Sequence, residues 1–199
     1  MDSVRSKEMD MLNGGLAGKL ILFAMPLAFS SILQQLFNSA DVAVVGRFSA
    51  QKDLALAAVG STSSVVNLFI TIITGLAVGA NVVIARSIGA SDEKRAKQAV
   101  HTALILSLLC GAILLVLGEC IALPLLEIMD TPSDIIGLAG KYLRIYMLGV
   151  FFQTIYNFEA SILRANGDTR RPLFCLIFSG AVNVVLNLVF VIGFQLDVA

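Results

Sequence analysis

The sequence predicts an all-α integral membrane protein, and three features carry that prediction. Hydrophobic residues make up 57% of the chain and charged residues only 14%, where a soluble domain carries about 25% charged residues. The apolar residues gather into five runs, each near the roughly 20 residues a helix needs to cross about 30 Å of hydrocarbon. The polar residues inside those runs recur at helical spacings, so the bundle is expected to have a polar interior.

The first run covers about 18–45 and holds the strongest signal, because it carries Gln34, Asn38 and Asp41 on one helical face at i, i+4 and i+7. A carboxylate in a membrane helix costs roughly 2.5–3.5 kcal/mol on insertion scales. Asp41 is therefore expected to face a bundle interior or a watery cavity. It lies about 9 Å of helix rise before Arg47, which is expected to put it in the external half of the membrane. Pro26 reads as a kink whose freed carbonyl is met by water or a neighbouring helix. Residues 1–17 are expected to stay as an N-terminal segment. They are polar, the run that follows is too long for a signal-peptide core, and no A-x-A site closes it.

The second run, about 54–84, carries Ser64, Asn67, Thr71 and Thr74 at spacings of three, four and three. Hydroxyls there also serve as interhelical contacts worth around 0.6 kcal/mol each. Gly75 and Gly79 form a G-x-x-x-G, read as a close helix-packing site. The link RSIGASDEKRAK (86–97) supplies a glycine turn and a basic helix start.

The third run, about 99–126, offers only Ser107, Cys110 and Gly111 along its middle, so it is expected to face lipid more than the others. His101 at its start reads as an interfacial histidine. An acidic link follows, with Glu119, Glu127, Asp130 and Asp134, and Pro132 breaks the helix. The fourth run, about 135–158, places Tyr146, Gln153 and Asn157 at helical offsets of seven and four. Glu159 beyond it is able to snorkel or to pair with Arg164. In LRANGDTRRP (163–172), Asn166-Gly167-Asp168 predicts a turn and Pro172 a helix start. The fifth run, about 172–193, has Ser179, Asn183 and Asn187 four apart, and QLDVA (195–199) begins a sixth helix. Helices 1, 2, 4 and 5 are thus expected to line a polar cavity.

Lysine and arginine counts give the orientation. With alternating spans, ten of the 14 basic residues fall on the side of the N-terminus and the second and fourth links. That side is expected to be cytoplasmic. The third link, without a basic residue between Gln98 and Gly140, is then external.

Enzyme chemistry finds no support in the sequence. There is no nucleophile–base pair, Walker loop or metal-ligand cluster. Cys110, Cys120 and Cys175 form no CxxC and read as small core hydrophobes. The zero net charge gives no nucleic-acid signal. With no ATP motif and no cofactor, active transport would run on an ion gradient. Asp41 is then the coupling group, binding a proton or helping to hold sodium, and its neutralisation changes helix packing.

The passage YLRIYMLGVFFQTIYNFEASILRANGDTRRP (142–172) resembles the fourth-helix and link signature of the multidrug and toxic compound extrusion (MATE) transporters. QQLFNSADVAVVGRFS (34–49) is similar to that family's Gln-x-x-x-Asn-x-x-Asp pattern ahead of Val-Gly, and GLAVGANVVIARSIGASDEKRAK (75–97) to its second-to-third-helix region. The resemblance runs from about Gly15 to Ala199. It implies one lobe of a twelve-helix, two-lobe antiporter in the plasma (inner) membrane, exporting small, mostly cationic amphipathic compounds against protons or sodium by alternating access. It assigns cation coupling to Asp41 with Asn38, Asn183 and Asn187, and the substrate cavity to Gln34, Asn67, Tyr146, Gln153 and Asn157. The family's fifth helix often reads Asn-x-x-x-Asp. Here it is Asn183-x-x-x-Asn187, which leaves Asp41 as the one intramembrane acid of this half. Residues 18–199 are expected to be an incomplete six-helix lobe, lacking its sixth helix and the second lobe as partner. Two rival readings are a lipid-linked oligosaccharide flippase of the same superfamily, which would want a basic cavity, and a non-transporting membrane assembly subunit.

Overall fold

The computed structural model describes residues 16–48 and 52–193. Residues 1–15, with Arg5 and Lys7, the middle of the first link and the QLDVA segment lie outside the described residues. Five long helices follow one another: α1 (Leu16–Phe48), α2 (Lys52–Gly89), α3 (Glu93–Ile128), α4 (Ile136–Ala165) and α5 (Arg170–Leu188). A π-helical turn, Val189–Gly193, extends α5.

Each helix except α5 outruns its hydrophobic span, for a physical reason. Hydropathy marks only the stretch that suits hydrocarbon, whereas backbone hydrogen bonding continues through charged ends. The 38 residues of α2 rise about 57 Å, well beyond about 30 Å of lipid core. The link at 86–97 accordingly shrinks to Ala90–Asp92 between two helices. Ser91, not Gly89, takes the left-handed conformation there (φ 56°). Asp92 caps α3 through a 3.0 Å bond from Arg95 N to its Oδ1. In the third link Asp130 is left-handed (φ 52°) ahead of Pro132. At the predicted Asn-Gly-Asp turn, Gly167 supplies the left-handed step (φ 83°), and α5 starts two residues before Pro172. Helix α1 continues through Pro26, and Ser30 Oγ donates a 2.8 Å bond to the Pro26 carbonyl.

Four helices are long and apolar enough to cross a membrane by length and composition, namely α1, α2, α3 and α5 with its π-turn. Helix α4, 30 residues long, falls short of the hydropathy expected of it. Tyr146, Gln153, Asn157 and Glu159 dilute it, and its position explains why that is tolerated. The core is a seam between α2, α3 and α4, built from Val65, Phe69 and Ile73 with Leu114 and Leu126 and with Leu143, Met147 and Val150. A second cluster continues the seam with Ala77, Ile84, Ala103 and Phe158. A helix held between two others presents less surface to lipid.

Helix α3 presents Ala103, Ser107, Gly111, Leu114, Gly118, Ala122 and Leu126 as one buried stripe. Its other faces are exposed and apolar, with Ile105, Leu109, Ile113 and Val116 outward, but α3 is not more exposed than the other helices, since α1 and α5 are buried less. The small residues let α4 approach closely. A β-carbon on Gly111 would stand 3.1 Å from Phe151 Cδ2, and one on Gly118 would collide with Met147. Gly75 and Gly79 behave otherwise. Both are exposed and, among the described residues, nothing lies within 4 Å of a β-carbon on either, so the G-x-x-x-G is not a packing site between these helices. The cysteines also depart from expectation: Cys120 and Cys175 are exposed on apolar outer faces and Cys110 is half-buried, rather than all three filling the core.

Helices α1 and α5 pack on each other, and α1 also touches α2. Gly180 of α5 sits against the Phe37 ring of α1. Tyr156 Oη donates to the Pro172 carbonyl at 3.3 Å, tying α4 to the start of α5.

Candidate functional site

Asp41 and Asn187 meet where α1 and α5 pack. Asn187 Nδ2 donates a 2.8 Å hydrogen bond to Asp41 Oδ1, with both side chains half-buried. Asp41 has no ion pair with a basic side chain among the described residues. An ionised acceptor makes such a bond about twice as strong as a neutral one. The contact therefore depends on the state of the carboxylate.

Tyr142 of α4 is half-buried, one turn before Tyr146 on that helix, and among the described residues α4 makes no direct contact with α1. Tyr142 continues into Tyr146, their ring centroids 6.4 Å apart. Tyr146 Oη donates to Gln153 Oε1 at 3.3 Å, and Asn157 Nδ2 donates to the Gln153 carbonyl at 2.8 Å. Tyr146, Gln153 and Asn157 thus form one polar ladder on α4. Tyr142 was not singled out by the polar spacing, although it stands one turn before Tyr146 on the same face.

The remaining predicted residues are not drawn into this cluster. Gln34 and Asn38 on α1 and Asn183 on α5 are exposed. Asn67 and its stripe partners Ser64, Thr71 and Thr74 are exposed on α2, and Thr71 Oγ1 donates 2.8 Å back to the Asn67 carbonyl rather than across to another helix. They present an open polar surface. Glu159 and Arg164 form no ion pair, and His101 is exposed at the start of α3. Sequence spacing also passed over Asn81, whose Nδ2 donates 2.7 Å to the Ser161 carbonyl and bolts α2 to α4.

A polar-lined face on apolar helices suits a transporter, and comparison with known proteins decides the family. The MatE family model matches residues 26–189, most of the chain. This chain belongs to the MatE family. The probable multidrug resistance protein YoeA of Bacillus subtilis is 33% identical over 175 residues, covering 86% of this chain and 37% of YoeA. The probable multidrug resistance protein YpnP of the same organism is 32% identical over 197 residues, covering 97% of this chain and 43% of YpnP. The crystal structure of MATE in complex with MaD3S superposes with a TM-score of 0.87 at 29% identity, over 96% of this chain and 43% of that one. The MatE chain described here thus spans about two fifths of the length of the relatives it matches. It belongs with transporters, not enzymes.

Proposed function

We propose that this MatE chain forms most of the N-terminal lobe of a cation-coupled antiporter that exports small, mostly cationic amphipathic compounds. The lobe sits in the plasma membrane with its N-terminus cytoplasmic, in keeping with ten basic residues on that side against four on the other. A second lobe completes the cavity that Gln34, Asn38, Asn67 and Asn183 face. The observation that carries this reading is the 2.8 Å bond between Asn187 and Asp41. With Asp41 ionised, Asn187 ties α5 to α1 through a charge-assisted bond. A proton or a sodium ion on the carboxylate removes that charge and loosens the tie, so ion binding shifts the packing of the two helices. The Asp41 carboxylate and the carbonyl oxygen of Asn187 are oxygen donors of the kind a hard cation takes. Linkage is reciprocal, and exchange requires it to be negative: a substrate that favours the tied packing lowers affinity for the ion by the same factor that the ion lowers affinity for the substrate.

The test is dye-cation transport in everted vesicles holding the full-length transporter, where efflux from the cytoplasmic face reads as uptake into the lumen, under an imposed proton or sodium gradient, beside its Asp41→Asn variant. Gradient-driven efflux that the inserted variant loses supports the reading and names the ion. Efflux unchanged in the variant moves coupling to the rest of the protein. Absence of efflux under either gradient overturns the exporter reading.

A further inference from the structure

Around the α2–α3 turn, a cavity of about 340 Å³ is lined by Val82, Val83, Arg86, Ser87, Ala90, Asp92 and Arg95. Both arginines are exposed and neither forms an ion pair among the described residues. Asp92, the one acid in the lining, is engaged as the cap of α3 through Arg95 N. Buried Ser87 donates its hydroxyl to the Val83 carbonyl at 3.0 Å. Arg86 and Arg95 therefore line this cavity with no acid beside them in the lining other than that cap. A guanidinium pair of this kind suits a phosphodiester, whose oxygens accept paired N–H donors.

The wall beneath is apolar and open. Gly75, Gly79, Val82, Val83, Arg86 and Ala90 follow one another at i, i+4, i+7, i+8, i+11 and i+15, which places them on one face of α2. Val82 and Val83 are 58% and 53% exposed, and the two glycines have nothing within 4 Å of a β-carbon. From Gly75 to Arg86 the helix rises roughly 16 Å, close to half of about 30 Å of hydrocarbon. The face thus offers a basic head at the membrane surface and a smooth apolar track about one acyl chain long.

We infer that Arg86 and Arg95, with the glycine-floored face of α2 below them, form a binding site for an anionic phospholipid. The phosphodiester sits between the guanidiniums and one acyl chain lies over Gly79 and Gly75. The site is separate from Asp41 and does not depend on the coupling proposal. It gives the G-x-x-x-G a use that packing within these helices does not.

The experiment is native mass spectrometry of the full-length transporter, delipidated in detergent and titrated with phosphatidylglycerol or phosphatidylcholine of matched chains. Wild type is expected to retain phosphatidylglycerol preferentially, and R86Q/R95Q to bind it roughly thirtyfold more weakly. Gly79→Leu, which keeps both arginines, is expected to weaken retention by obstructing the track, so the proposal does not hang on the arginine variant folding. Glycerol phosphate, which has the head without the chains, is expected not to compete. A photoreactive group at Val82 is expected to cross-link to lipid. Equal binding of the two lipids, or competition by glycerol phosphate as strong as by lipid, would overturn the proposal. So would cross-linking of Val82 to another segment of the protein, which would make this face a helix-packing surface.

Discussion

Asn187 of α5 donates a 2.8 Å hydrogen bond to Asp41 of α1 across 146 positions of sequence. It is a side-chain bond that joins these two helices, and it lies two residues before the π-helical turn at Val189–Gly193. A π-helical turn breaks the i to i−4 ladder. The bond therefore sits where α5 departs from regular helix.

If that bond couples ion binding to transport, its two partners act as a unit. In the full-length transporter, Asn187→Ala is expected to lower initial gradient-driven efflux by about tenfold, since a bond to a charged group is worth about 1.5–3 kcal/mol. Asp41→Asn is expected to lower it further. The double variant should be no worse than Asp41→Asn alone, a non-additivity that a double-mutant cycle on efflux rates measures. Additive losses would mean the two residues act separately.

Glycine position, not glycine motif, decides tolerance to substitution. Gly118→Val drives a branched side chain into the fully buried Met147 and is expected to cost about 1–3 kcal/mol by overpacking. Gly75→Ala meets open space and is expected to leave stability unchanged or slightly raised, because alanine is the better helix former. Thermal melting of the two variants in detergent, followed by size-exclusion elution, checks the contrast.

These glycines also show what could be read from the chain and what could not. Apolar runs and helical spacing suffice for five helices in this order, although α4 is less apolar than the other four, because both signals follow from the chemistry of single segments. Which face of a segment meets a neighbour depends on the other segments. The G-x-x-x-G at Gly75 and Gly79 looked like a packing site, yet the close approach is made by Gly111 and Gly118, seven apart within the longer stripe from Ala103 to Leu126. Likewise Asn38 and Asn183 share helices with Asp41 and Asn187 but stay exposed. The low hydropathy of α4 was present in the sequence, but what lets it be tolerated, packing against α2 and α3, is a tertiary fact.

Asn81 is expected to matter for stability and not for ion choice. Its 2.7 Å bond to the Ser161 carbonyl joins α2 to α4 away from Asp41. Interhelical polar bonds in membranes average around 0.6 kcal/mol. Asn81→Leu should therefore lower the melting temperature by a few degrees at most, with the same ion driving efflux as in wild type. A change of driving ion would place Asn81 in the coupling site.

The start of α5 separates a cap from a salt bridge that share one residue. Asp168 Oδ1 accepts bonds from Arg170 N and Arg171 N, both at 3.1 Å, while its Oδ2 lies 3.0 Å from Arg171 Nε. The Arg171 side chain is 59% exposed, so the ion pair is screened by solvent and is worth little. The backbone N–H groups at the head of α5 have no intrahelical acceptor, and the carboxylate satisfies two of them. Asp168→Ala is accordingly expected to cost about 1 kcal/mol, the usual loss for a helix cap. Arg171→Ala should cost less than half of that, because Asp168 keeps its backbone bonds. Asp168→Asn keeps an acceptor oxygen but no charge, and should fall between the two. Melting curves of the three variants test that order. If Arg171→Ala proves as damaging as Asp168→Ala, the ion pair and not the cap holds this turn.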